Sequence, residues 1–143
     1  DGMVRVNPTE GGGWRRSVYL QYRRTELPTI MDTFDYPQMG PNCLSRNVST
    51  VSPQALMLMN NDHVRELAAA LAKRVESTAH AEADAVVETV YQLTLSRSPT
   101  VQERALGVEA IDQFRRQQPD QPAAALEAYC HTILNSASFL FVD

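Results

Sequence analysis

The sequence predicts a mainly α fold: a bundle of about four amphipathic helices, preceded by an irregular loop and one short strand-like segment. Two observations carry this expectation. After Ser52, apolar residues recur at spacings of three and four in successive stretches, each able to bury one helical stripe. The stretches are separated by short breaks marked by Asn, Ser, Thr or Pro, so neighbouring helices are joined closely and their stripes can share one core.

In chain order, residues 1–13 are rich in Gly, Pro and Asn and lack periodicity, so they are expected to be flexible. Val18, Leu20 and Tyr22 alternate with Ser17, Tyr19 and Gln21, a period of two that predicts a short strand, although no second strand is evident to pair with it. In residues 27–34, Ile30, Met31 and Phe34 fall on one side of a helical turn whose start suits Pro28. Pro37, Gly40 and Pro41 then rule out regular structure. Residues 35–51 are therefore a loop, long enough to imply a function or a specific packing task.

Ser52-Pro53 signals a helix start, because a serine oxygen accepts from an orphan amide and proline fits where no amide hydrogen is needed. Asn60-Asn61-Asp62 interrupts that helix, with Asn61 as cap of the next and Asp62 at its positive end. The stripe that follows is Val64, Leu67, Ala68, Leu71 and Val75. A second holds Val86, Val87, Val90, Tyr91 and Leu95, and is ended by Arg97-Ser98-Pro99 because the residue before proline disfavours helix. Thr100 and Glu103 have the spacing of a capping box, and the helix they open is expected to bury Leu106, Ala110, Ile111 and Phe114.

After a turn at residues 119–122, the last helix carries Leu126, Tyr129, Cys130, Ile133, Leu134 and Ala137 on one face. An apolar tail, Phe139-Leu140-Phe141-Val142, follows it. Met31, Met39, Met57 and Met59 are read as core filling. The whole is read as one helical domain, residues 1–143, with an extended segment and loop over residues 14–51 and the bundle over residues 52–143.

Composition excludes several classes of function. The formal net charge of −4 over 143 residues gives no general attraction to nucleic acid. Arg15, Arg16, Arg23 and Arg24 do flank a tyrosine-bearing segment, but such a cluster is read as guarding a strand edge or pairing with carboxylates. No apolar run is long enough to span a membrane. Cys43 and Cys130 form no Cys-x-x-Cys motif, and His63, His80 and His131 share no ligand spacing, so neither a metal nor a cofactor is expected. The chain opens on Asp1 rather than Met, and is expected to be part of a larger protein.

A longer pattern runs through the loop and the helix after it: Phe34-Asp35-x-Pro37, then Cys43-x-x-Arg46, then Ser49-Thr50, then Pro53 through Asn60. Arg15-Arg16-Ser17-Val18-Tyr19-Leu20, Leu95-Ser96-Arg97-Ser98-Pro99-Thr100 with Glu103, and Leu134-Asn135-Ser136 with Phe139-Leu140 accompany it. These pieces resemble the later portion of the PSD-one domain family of planctomycetes, domain of unknown function fifteen-fifty-three. The chain departs from the family's pattern at Gln38, where an acid is usual, at Ser96, where glycine is usual, and at Ala137-Ser138. The resemblance implies an extracytoplasmic protein with other modules upstream, often a cytochrome-c-like one. The chain itself has no Cys-x-x-Cys-His for covalent haem.

No catalytic residue is assigned. The candidates for binding or for fastening the loop are Asp35, Cys43, Arg46, Gln54 and Asn60. A carboxylate and a guanidinium held by a proline-fixed loop can serve acid/base or anion-binding chemistry, or can pair with each other and tie the loop down. Gln54 and Asn60 are amides suited to capping and loop fastening. Nothing in the spacing brings Cys43 to His63 as a nucleophile and base would require. A Cys43–Cys130 disulfide is a candidate in an oxidising compartment, against simple burial of both thiols. The expected function is a non-catalytic structural or interaction module whose partners are upstream modules of the same protein or other proteins. The alternative is part of an enzyme or redox-partner domain, with a polar cleft around Asp35 and Arg46 facing polysaccharide-derived substrates.

Overall fold

The computed structural model describes residues 33–34, 52–78 and 82–141. Two units are distinguished, residues 1–54 and residues 55–143. In the first, Thr33 is helical and Phe34 lies in a turn. The strand expected at residues 17–22, and most of the short helix expected over residues 27–34, lie outside the described residues.

Six helices and no strand occur among the described residues: α1 (Ser52–Asn60), α2 (Asp62–Thr78), α3 (Ala83–Leu95), α4 (Val101–Gln117), α5 (Pro122–Leu134) and α6 (Ala137–Leu140). The helical bundle is as the periodicities predict. Each boundary has local chemistry behind it. Asn61 separates α1 from α2, and its side-chain oxygen accepts from the His63 amide at 2.9 Å, satisfying one orphan donor of the new helix. α3 ends on Ser96, whose φ of 54° and ψ of 28° place it in the left-handed region, so the helix stops two residues before Ser98-Pro99 takes effect. Thr100 and Glu103 form the capping box: Thr100 Oγ1 accepts from the Glu103 amide at 3.2 Å while the Glu103 carboxylate accepts from the Thr100 amide at 2.8 Å.

The core of the second unit lies among α2, α3, α4 and α5, where Val75, Val87, Val90, Ile111 and Cys130 are fully buried. α2 packs most extensively on α5, and α4 packs on both α3 and α5. Small residues decide which faces meet. On α2 the buried line is Val64, Ala68, Ala72 and Val75, and Leu67, expected inside, is 38% exposed. On α4 the buried line is Gly107 and Ile111, flanked by Ala110 and Phe114, while Leu106, also expected inside, is 65% exposed. The reason is distance: alanine and glycine let helix backbones approach more closely than leucine allows, and the stripes rotate accordingly. Met59, expected as core filling, is 56% exposed on α1. α5 ends at Leu134 rather than running to Ala137, which is exposed at the start of α6.

Candidate functional site

Of the expected site residues, Asp35, Cys43 and Arg46 lie outside the described residues, as does the arginine cluster around residues 15–24. Gln54 is described and is the one buried polar residue among them, 8% exposed. Its Nε2 donates to the backbone carbonyl of Thr33 at 3.0 Å, so a side chain in the first turns of α1 ties down a backbone group 21 residues earlier. A carbonyl at a chain turn otherwise needs water or a helix to satisfy it, and the amide of glutamine is long enough to reach it from a neighbouring helix. Asn60 is the last residue of α1 and is exposed. The structure does not bring Asn60 together with Gln54.

Cys130 is fully buried and its thiol is free. Burial, reinforced by Glu127 and Glu76, pushes that thiol up to about 12, so it stays protonated and unreactive at neutral pH. The partner in the expected disulfide, Cys43, lies outside the described residues. Of the histidines, His63 sits on the surface of α2 with Nδ1 3.6 Å from Glu66, and His131 on α5 donates from Nε2 to the Leu58 carbonyl at 3.2 Å. His131 thereby fastens the end of α1 to α5. His80 is outside the described residues. Among the described residues no group of three or more His, Cys, Asp or Glu side chains is arranged to hold a metal ion.

Among the described residues, the densest polar constellation joins α3 to α4 across the turn at residues 96–100. The Arg97 guanidinium donates from both nitrogens to the two oxygens of Glu103, at 2.9 and 2.7 Å, and lies 5.3 Å above the centroid of the Tyr91 ring. One turn away, Glu88 accepts from Ser98 Oγ at 2.7 Å, from Gln92 Nε2 at 3.2 Å and from Arg104, whose other guanidinium nitrogen donates to the Asp84 carbonyl at 3.3 Å. The Arg97 pair and the Thr100 amide hold the Glu103 carboxyl well below its ordinary range, at about 2. Hydrogen bonds from Ser98, Gln92 and Arg104 likewise lower Glu88. Both carboxylates are thus charged and engaged at neutral pH. Such groups are poor acid/base catalysts there, because they neither hold nor accept a proton in the working range.

Sequence reading found the capping half of this constellation through the Thr100 and Glu103 spacing, but not its ion pairs. Glu88 and Arg104 lie on different helices, and only the packing of α3 on α4 joins them.

Helices packed around an aliphatic core, with a polar corner clasped by charge pairs, define an all-α helical-bundle unit. No helix among the described residues is long and apolar enough to cross a membrane. The family model described as PSD1, Protein of unknown function (DUF1553), matches residues 4–111, and the chain belongs to that family. No curated protein and no solved structure matches the chain.

Proposed function

We propose that the chain is a non-catalytic structural or interaction module, part of a larger extracytoplasmic protein, and that it docks onto upstream modules of that protein, cytochrome-c-like ones among them. In this reading Asp35, Cys43, Arg46 and Gln54 fasten the loop of residues 35–51 into a defined docking element, and residues 52–143 form a helical body. The observation that carries the reading is the Gln54 side chain: buried, and within the residues that the family model matches, it donates to the Thr33 carbonyl two residues before the loop. A residue at a catalytic or ligand site would instead present its polar atoms to an open cleft. The paired state of Glu88 and Glu103 supports the same reading, since these carboxylates clasp helices together. The location outside the cytoplasm and the link to cytochrome-c-like modules rest on the family resemblance.

The test is calorimetric titration of the purified chain with the separately purified upstream modules of the same protein. The reading predicts one-to-one binding that Gln54→Ala weakens by about tenfold or more, equivalent to about 1.4 kcal/mol, with helical content unchanged. An absence of binding at about 100 μM, or binding indifferent to Gln54→Ala, would overturn it.

A further inference from the structure

We draw no further inference here: the strongest candidate, the exposed apolar pair Leu56 and Met59 one turn apart on α1, carries nothing because nothing in the structure shows what covers it.

Discussion

The Tyr129 hydroxyl on α5 stands against Gly107 on α4 so closely that a β-carbon built on the glycine would lie 2.6 Å from the phenol oxygen and 2.9 Å from Val87 Cγ2. The contact explains a glycine in mid-helix, where alanine would ordinarily be more stable by about 1 kcal/mol. Here the added methyl has nowhere to go. Gly107→Ala is expected to destabilise the chain by about 1–3 kcal/mol in a denaturant titration. The Tyr129 hydroxyl is itself buried and makes no hydrogen bond, so Tyr129→Phe should leave stability unchanged or raise it by up to about 1 kcal/mol. Gly107→Ala should cost less in the Tyr129→Phe background than alone. Equal costs in the two backgrounds would show that the close approach is not what demands glycine.

The Arg97–Glu103 pair has a signature in acid. With the Glu103 carboxyl at about 2 in the fold against an ordinary 4.5, its contribution is fully present above 4.5 and is lost as pH falls toward 2. Glu103→Gln removes the charge that pairs with Arg97 while a glutamine oxygen can still accept from the Thr100 amide, and is expected to cost about 0.5–1 kcal/mol at pH 7. That difference between the variant and the native chain should shrink steadily between pH 4.5 and pH 2. Melting temperatures across that range measure it, and a difference independent of pH would remove the carboxylate charge from the account.

Ser96 occupies the left-handed conformation that ends α3, the described residues' only non-glycine with positive φ. A β-carbon there costs roughly 1–2 kcal/mol, against which glycine gives up some unfolded-state entropy. Ser96→Gly is therefore expected to raise stability by up to about 1 kcal/mol. A loss of stability would mean that the serine side chain is held by something that outweighs its strain.

Helix boundaries were legible where a side chain next to the break does the work: Asn61 between α1 and α2, and Thr100 with Glu103 before α4. Helix faces were legible only in part. Hydrophobic pattern favours Leu67 and Leu106 for burial, but the separation of helices is a property of the assembled bundle. Ala72 and Gly107 are buried because they permit close approach. The site was less legible still. The Gln54 amide could be singled out from its place near a helix start, but the carbonyl it donates to, that of Thr33, lies 21 residues away and carries no sequence signal. The Glu88–Arg104 pair has no local signature, being made by packing of α3 on α4.

The central claim is that polar residues of the family pattern fasten the loop rather than serve a reaction. A double-mutant cycle on Asp35 and Arg46 tests it most directly, with stability read by denaturant titration of the native chain, Asp35→Ala, Arg46→Ala and the double variant. The account predicts that each single change destabilises by about 3 kcal/mol or more, and that the double variant costs little more than either. Unchanged or increased stability in the single variants would contradict it, because groups held at no benefit to the fold are held for a ligand.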